Sequence, residues 1–260
     1  MKRWTVFGFG LIGLFFSLMV MAQESEFLAQ KFQIRVVFDD LENWENIWET
    51  VSGEWKLVND QAAPAGPVVL TQAMKFLDFP KIFLGQARFF DFRVGVDLKI
   101  LSIGKETQPL PGHSLYEIPP EKVPEVARPR DYAGGILLRY RGPFIFLALM
   151  ADARLEKVIL VGVDLAGPRI LKGKHAPMRL NEWHRLEAVC DTDIIQVYWD
   201  GAFLFQHRER GLTGGRVGLV TTRSSRVYFD RFVLNSRRIL PRERFAKQKK
   251  SKRQGNRTQD

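Results

Sequence analysis

The feature that most constrains the fold of this chain is a period-two alternation of apolar and polar side chains, which recurs along the sequence. In its clearest instance, residues 90–100, every second residue is aromatic or aliphatic. Because successive side chains of a β-strand point to opposite faces, this pattern predicts a strand with one buried and one solvated face. The same alternation predicts strands at residues 186–190 and 195–199, and apolar stretches near turn residues predict further strands at residues 135–140, 144–149, 158–163, 202–205, 216–220 and 226–234.

Turn-forming residues lie between these strands. Asp191-Thr192-Asp193 and Asp200-Gly201 predict two hairpin turns, and Gly134-Gly135 and Gly214-Gly215 are also interpreted as turn glycines. The sequence has no convincing long amphipathic helix, and only residues 41–50 favour a short one. Strands that follow one another at short intervals predict an all-β chain built as an antiparallel sandwich or barrel.

Composition excludes several other classes of protein. A chain of 260 residues that is 45% hydrophobic is not disordered, and a single cysteine, Cys190, excludes a disulfide scaffold or a Cys-rich zinc module. The formal charge of +10 is carried by Lys2, Arg3 and residues 236–260, because the remaining charges cancel. The body of the protein therefore has no net charge to attract polyanions in bulk.

The first residues have the organisation of a secretory signal peptide. Lys2 and Arg3 precede an apolar run at residues 4–21, and the side chains of Val20 and Ala22 suit cleavage after Ala22. Residues 1–22 are therefore predicted to be removed, which gives a secreted or periplasmic protein. The alternative is an uncleaved N-terminal membrane anchor, because the run has about the minimum length that spans a bilayer.

These boundaries leave one β-sandwich domain at residues 23–240 and a basic tail at residues 241–260. The tail is predicted to be disordered, since it has too few apolar residues to offset its chain entropy. An alternative role for the tail is electrostatic docking to an acidic envelope component, anionic lipid or nucleic acid. Within the domain, residues 104–131 contain six prolines and are predicted to form a long surface loop.

Four motifs occur in a recognisable order in the second half of the chain. They are Trp183-His184-Arg185-Leu186, Val197-Tyr198-Trp199-Asp200-Gly201, Gly215-Arg216-Val217-Gly218-Leu219 and Val227-Tyr228-Phe229-Asp230. In this order they resemble the C-terminal half of concanavalin A-like, or laminin-G-like, jelly rolls. Within that superfamily the chain is most similar to the 3-keto-disaccharide hydrolase domain family, through Phe38-Asp39, Gly53-Glu54-Trp55 and Gly134-Gly135-Ile136-Leu137-Leu138-Arg139. The resemblance covers residues 35–235 and implies a jelly-roll β-sandwich with a carbohydrate ligand or substrate.

The acidic residues do not form a glycosidase motif. Glycosidases hold two carboxylates across the scissile bond, and the Glu-x-Asp-x-x-Glu strand that supplies them in jelly-roll enzymes is missing from this sequence. Asp97 and Glu187 are the catalytic candidates if the chain is a hydrolase. Single acids on alternating strands, including Asp91 and Glu54, more often cover a solvated sheet face. The four histidines show no metal-ligand spacing, so no metal or other cofactor is expected. Calcium binding stays open, although no motif indicates it.

A polar sheet face is the strongest candidate for a binding site. If the apolar residues of each strand face the core, the opposite parity exposes a second set of side chains. That set comprises Asp97, Arg139, Glu187, Gln196 and Tyr198. Planar polar groups beside an aromatic ring suit sugar hydroxyls and ring faces. The predicted ligand-binding residues are Arg139, Gln196 and Tyr198, with Tyr116 and His113 from the proline-rich loop.

Three further aromatic and acidic residues are given structural roles. Trp183 and Trp199 occupy strand positions from which a large ring can fill the gap of roughly 10 Å between two sheets. Asp230 is predicted to hold a loop as a hydrogen-bond acceptor.

Three functions remain open, in the following order. The first is a secreted or periplasmic, non-catalytic module that binds a carbohydrate or a cell-envelope component. The second is a glycoside hydrolase similar to the 3-keto-disaccharide hydrolases, in which Asp97 or Glu187 works beside Arg139. The third is binding of an anionic surface or nucleic acid through residues 241–260. The sequence does not indicate the oligomeric state.

Overall fold

The computed structural model of the chain describes residues 32–36, 38, 44–73, 79–101, 132–222 and 225–240. Within these ranges the chain forms fifteen strands and one helical turn, α1 (Trp44–Ile47). The strands are β1 (Phe32–Val36), β2 (Trp48–Ser52), β3 (Trp55–Asn59), β4 (Val68–Gln72), β5 (Lys81–Leu84), β6 (Arg88–Ile100), β7 (Ala133–Gly142), β8 (Ile145–Asp152), β9 (Lys157–Asp164), β10 (Gly167–His175), β11 (Trp183–Asp191), β12 (Ile194–Trp199), β13 (Ala202–Arg208), β14 (Arg216–Thr221) and β15 (Val227–Leu240).

The strands form two antiparallel sheets. The eight-stranded sheet has the order β13-β12-β11-β6-β15-β4-β3, with β1 also paired to β15. The seven-stranded sheet has the order β10-β9-β8-β7-β14-β5-β2. Neighbouring strands in space are often distant in sequence, as with β6, which lies between β11 and β15. This arrangement confirms the predicted antiparallel jelly-roll sandwich.

The core lies between the two sheets and follows the predicted alternation. In β6, Val94, Val96, Leu98 and Ile100 are buried against side chains of the other sheet. Those facing side chains include Ile136, Leu138, Leu149, Leu160, Val217 and Leu219. The prediction is also confirmed for Trp199, which is buried in this core and donates its indole N–H to the Pro177 carbonyl at 3.1 Å.

Trp183 does not fill the space between the sheets, so that prediction was wrong. In β11 the core-facing residues are Leu186, Ala188 and Cys190, and Trp183 has the opposite parity. Its ring therefore lies on the outer face of the eight-stranded sheet, where the Lys99 ammonium sits 5.2 Å from the ring centre.

The outer face of the seven-stranded sheet is apolar and buried. In β7, β8 and β9 its side chains alternate with those that face the core, and neighbouring strands contribute the rest. None of them is more than 8% exposed. They are Phe83, Ala133, Leu137, Phe146, Ala148, Met150, Ile159, Val161 and Val220. The central strands of this sheet are therefore buried on both faces, which matches their nearly continuous apolar sequences.

The predicted hairpin turns are confirmed, whereas two pairs of predicted turn glycines are not turns. Asp200 and Gly201 both have positive φ, 49° and 79°, as a tight two-residue hairpin requires. Gly134 and Gly135 instead lie within β7, where a Cβ on Gly135 would overlap the carbonyl oxygen of Leu149. Gly214-Gly215 precedes β14, and Gly215 forms a backbone bridge with Phe89.

In the described part of the predicted helix at residues 41–50, the helical prediction holds for the single turn of α1, and β2 begins at Trp48. Strands β1, β2, β3, β4, β5 and β10 were not predicted as strands. No helix among the described residues is long and apolar enough to cross a membrane. The predicted signal peptide, the proline-rich loop after residue 104 and the basic tail lie outside the described residues.

Candidate functional site

The outer face of the eight-stranded sheet carries a patch of charged, amide and aromatic side chains, here called the polar face. Pairing of β6, β11 and β12 places Arg185 beside Asp97, and Glu187 between Gly95 and Tyr198. The polar face comprises Arg35, Arg93, Asp97, Arg185, Glu187, Gln196, Tyr198, Phe203 and Arg231. The structure thus brings together Asp97, Glu187, Gln196 and Tyr198, as predicted from their parity.

Asp97 lies at the centre of the polar face but is only 2% exposed, so the prediction that it is solvated was wrong. Arg185 donates to its Oδ1 at 3.1 Å. Arg231 contacts both carboxylate oxygens, with Nε 2.7 Å from Oδ2 and Nη2 3.2 Å from Oδ1. Two guanidinium groups from neighbouring strands therefore cover this carboxylate and neutralise it.

Glu187 is held by two arginines as well, although it is less deeply buried. Arg93 donates to Oε2 at 3.3 Å, and the Nε of Arg185 lies 3.6 Å from Oε1. Arg185 also donates to the backbone carbonyl of Arg231 at 2.8 Å, so one side chain links both acids to β15. Gly95 makes room for this arrangement, because a Cβ there would collide with Arg185 and Glu187.

An aromatic pair adjoins the charged groups at one side of the sheet. The rings of Tyr198 and Phe203 pack edge to face, with centroids 5.7 Å apart, and the Arg93 guanidinium lies 5.9 Å from the Tyr198 ring centre. The Tyr198 hydroxyl donates to the amide oxygen of Gln196 at 3.1 Å. Phe203 is 55% exposed. This region offers an accessible ring beside groups that can donate and accept hydrogen bonds.

Sequence reasoning missed Phe203 and all of the arginines on the polar face. Phe203 belongs to the apolar run at residues 202–205, in which no parity is visible. A register shift where β12 pairs with β13 separates Phe203, which faces outward, from Phe205, which faces the core. The arginines Arg93 and Arg185 do alternate with core residues, so their positions could have been found by extending the parity argument.

Arg139 is not on the polar face, and its prediction as a ligand-binding residue is corrected by its complete burial. It belongs to the seven-stranded sheet, where a positive φ of 53° and a register shift interrupt the alternation of β7. Both Leu138 and Arg139 consequently point inward. The guanidinium donates to the carbonyls of Leu212 and Thr192 at 2.7 and 2.8 Å, and so connects the two sheets from inside.

Cys190 lies next to this buried arginine. Burial raises the pKa of its thiol to about 12, against the opposing influence of the Arg139 guanidinium. A thiol of this kind is protonated at neutral pH and unreactive in the folded protein. Cys190 therefore acts as a small apolar core residue.

A second polar cluster lies next to the polar face, around Lys99 of β6. The ammonium of Lys99 bonds to the Asp60 carboxylate and lies between the rings of Trp183 and Tyr228, 5.2 and 5.4 Å from their centres. Burial raises the pKa of Asp60, but hydrogen bonds from Lys99 and the Ala62 N–H and the charge of Lys99 outweigh it, so the pKa lies below its usual value. These groups satisfy one another rather than facing solvent.

Two other acids considered from the sequence hold loops. Asp230 is fully buried and accepts the backbone N–H of Ala65 at 2.7 Å, which confirms its predicted role. Asp91 accepts the N–H of Thr192 in the β11–β12 turn at 2.7 Å.

Tyr116 and His113 lie outside the described residues, so their place relative to the polar face stays a prediction.

The described histidines make local contacts. His184 stacks on Trp199, with ring centres 4.8 Å apart, and its Nδ1 lies 2.8 Å from Asp200. His207 lies 4.0 Å from Glu209. In the part of the chain that the structure describes, no three His, Cys, Asp or Glu side chains are grouped so that they could hold a metal ion.

Comparison with known proteins gives likenesses in structure but none in sequence. No protein-family model and no curated protein matches the chain. It is similar to the carbohydrate-binding module CBM66 from Bacillus subtilis, at 15% identity, over 73% of this chain and 96% of that chain, with a TM-score of 0.54. A Bacillus subtilis protein of unknown function with a galectin-like fold matches 79% of this chain and 96% of its own, at 12% identity and a TM-score of 0.49.

A third solved structure is the exoplasmic/lumenal domain of VIP36 in its Ca²⁺/Man-bound form. It matches 72% of this chain and 82% of its own, at 14% identity and a TM-score of 0.45. Of the three, the CBM66 module has the TM-score that establishes a shared fold. The chain has the concanavalin A-like jelly-roll fold that its motifs predicted.

Proposed function

We propose that this protein is a carbohydrate-binding module that takes its ligand on the polar face, beside Tyr198 and Phe203. The observation that carries the proposal is an exposed aromatic ring near a guanidinium, an amide and a carboxylate on the outer face of one sheet. Aromatic rings pack against the apolar faces of ligands, while a few fixed polar groups orient them. The CBM66 module, whose name states that it binds carbohydrate, shares this fold and supports the same class of ligand.

The polar face is suited to binding rather than to hydrolysis. A glycosidase needs one carboxylic acid that can protonate the leaving group and a second carboxylate that reaches the sugar. Asp97 is covered by Arg185 and Arg231, and Glu187 is held by Arg93 and Arg185. Both carboxylates are thus engaged by arginines of the same face, and the side chain of Asp97 is almost completely buried, so neither is placed to act on a sugar.

The predicted signal peptide supports the further proposal that this module acts outside the cytoplasm. Cleavage after residue 22 would release a domain whose ligand is an extracellular or cell-envelope glycan. This part of the proposal rests on the sequence of residues 1–22 alone.

The proposal is tested by screening the mature chain, residues 23–260, against immobilised oligosaccharides and measuring the affinity of any ligand by calorimetry. Phe203→Ala should weaken binding about tenfold, because it removes roughly 1.4 kcal/mol of ring contact. Phe144→Ala is the matched control, since Phe144 is 59% exposed in the turn between β7 and β8 and lies outside the polar face.

Three results would count against the proposal. They are failure to bind any glycan, equal losses in the Phe203 and Phe144 variants, and release of sugar products during the assay. In the last case, loss of turnover in Glu187→Gln with an unchanged melting temperature would identify a hydrolase instead.

A further inference from the structure

We propose that the glycan bound on the polar face is anionic, carrying carboxylate or sulfate groups that the arginines of this face recognise. This inference rests on the proposed function, because it names the class of carbohydrate that the same site would take. It follows from which charges of the polar face are covered and which are presented to solvent.

The negative charges of the polar face are covered. The side chain of Asp97 is almost completely buried beneath Arg185 and Arg231, and that of Glu187 is only 14% exposed. In contrast, the side chains of Arg93 and Arg231 are 55% and 40% exposed. A ligand that approaches this face therefore meets guanidinium groups before it meets carboxylates.

Strand β1 adds another arginine to this surface. Arg35 pairs with Val233 of β15, and Val233 pairs with Gly95 of β6. Because Ile34 and Val36 pack towards the core, Arg35 points to the outer face, where it is exposed. Arg35, Arg93, Arg185 and Arg231 together outnumber Asp97 and Glu187, so the patch is positive although residues 4–235 as a whole are neutral.

The spacing of these arginines suits an extended ligand. Two strand spacings and two residues along the strand separate the Cα atoms of Arg35 and Arg93, a distance of about 12 Å. The planar fork of a guanidinium binds carboxylate or sulfate oxygens through two parallel hydrogen bonds. A polysaccharide with regularly placed acidic groups could therefore contact both arginines while one of its rings packs on Phe203 or Tyr198.

The basic tail must be separated from this site in any experiment, because residues 241–260 would attract polyanions without specificity. The mature chain is therefore titrated with polygalacturonate and with neutral dextran of similar length, and each variant keeps the tail. The site variant is Arg35→Gln combined with Arg93→Gln. Its matched control is Arg169→Gln, because Arg169 is similarly exposed and lies 3.5 Å from Asp164, on the seven-stranded sheet.

We expect the mature chain to bind polygalacturonate at least tenfold more tightly than dextran. The double variant should lose at least tenfold in affinity for polygalacturonate, whereas Arg169→Gln should lose less than twofold. The affinity of both variants for polygalacturonate should fall as the salt concentration rises. The difference in affinity between the two variants should also become smaller, because salt screens the charges of the arginines.

Other outcomes would overturn the inference in distinguishable ways. Equal losses in the double variant and Arg169→Gln would assign binding to overall charge and the tail. Tight binding of dextran that depends on Phe203 but not on Arg93 would retain the proposed function and refute the anionic ligand. Tighter binding of a DNA oligonucleotide than of polygalacturonate, lost in the double variant, would assign the arginines to nucleic acid. Binding of neither polysaccharide, with no glycan found in the wider screen, would refute both proposals.

Discussion

The two outer faces of the sandwich differ in chemistry although side chains point alternately to the two faces of both sheets. The outer face of the eight-stranded sheet is charged, and its acids are paired with arginines from neighbouring strands. The outer face of the seven-stranded sheet is apolar and buried. The difference shows that the position of a strand in a jelly roll does not decide whether its outer face, which points away from the core, is polar or apolar. The residues of the non-core parity decide it, and among the described residues they are polar on the eight-stranded sheet and apolar on the seven-stranded sheet.

The largest expected effect comes from removing the same side chain from each face. Phe146→Ala on the seven-stranded sheet should lower the free energy of unfolding by about 4 kcal/mol, because this buried ring leaves a cavity. Phe203→Ala on the polar face should cost about 0.5–1 kcal/mol, because its ring is exposed and loses mainly its contact with Tyr198. Urea unfolding measures both. A cost below about 1 kcal/mol for Phe146→Ala would show that this face is solvated.

A second comparison substitutes one glycine in each sheet. Gly135→Ala should cost about 3 kcal/mol, because the new methyl group meets the backbone of β8, which cannot move without breaking the sheet. Gly95→Ala should cost less than about 1 kcal/mol, since the flexible ends of Arg185 and Glu187 can move aside. Thermal unfolding compares the two variants. Equal costs would mean that the side chains over Gly95 are as rigid as a backbone.

The ion pairs of the polar face give the next largest effect. Asp97→Asn should lower stability by about 2 kcal/mol, because it leaves Arg185 and Arg231 close together without their shared carboxylate. Asp164→Asn, which removes the partner of exposed Arg169, should change stability by less than about 0.5 kcal/mol. Chemical denaturation of both variants tests this. If Asp97→Asn were as stable as the original chain, the arginines would not depend on Asp97.

The smallest effect concerns the edge at which the two sheets meet. Burial lowers the pKa of His207 on β13, and the charge of Lys172 on β10 lowers it further, against the opposing effect of Glu209. Since the unfolded chain takes up the proton first, this histidine contributes stability above pH 6.5 that is lost as the pH falls through its folded pKa. Between pH 7 and 5 the chain should therefore lose more stability than His207→Gln. The opposite trend would mean that Glu209 dominates.

The strands that could be predicted have either an alternation of polar and apolar residues or a continuous apolar run. Strands β6, β11 and β12 were identified because polar and apolar residues alternate along them. Strand β10 was missed because it is an exposed edge strand with a proline, two glycines and a bulge, so that it has no apolar side to detect. The burial of both faces of β7, β8 and β9 could have been inferred, because continuous apolar runs are typical of such strands.

The candidate site was predictable only where the backbone kept its alternation. Gln196, Tyr198 and Glu187 were placed on one face because β11 and β12 pair in regular register. Arg139 was misplaced because its left-handed backbone turns the side chain inward, and nothing in the local sequence marks that bulge. Asp97 was assigned to the right face with the wrong exposure, since the arginines that cover it come from two other strands.

Strand β15 is the last of the described strands, yet it occupies the middle of the eight-stranded sheet. It pairs with β6 over most of its length and with β1 and β4 on its other side. The eight-stranded sheet therefore cannot be completed until residues 227–240 have left the ribosome. Until then β6, β1 and β4 lack a partner on the edges that β15 will occupy. Folding that waits for such distant pairings is slow, so this chain should depend on protection of its early strands during synthesis.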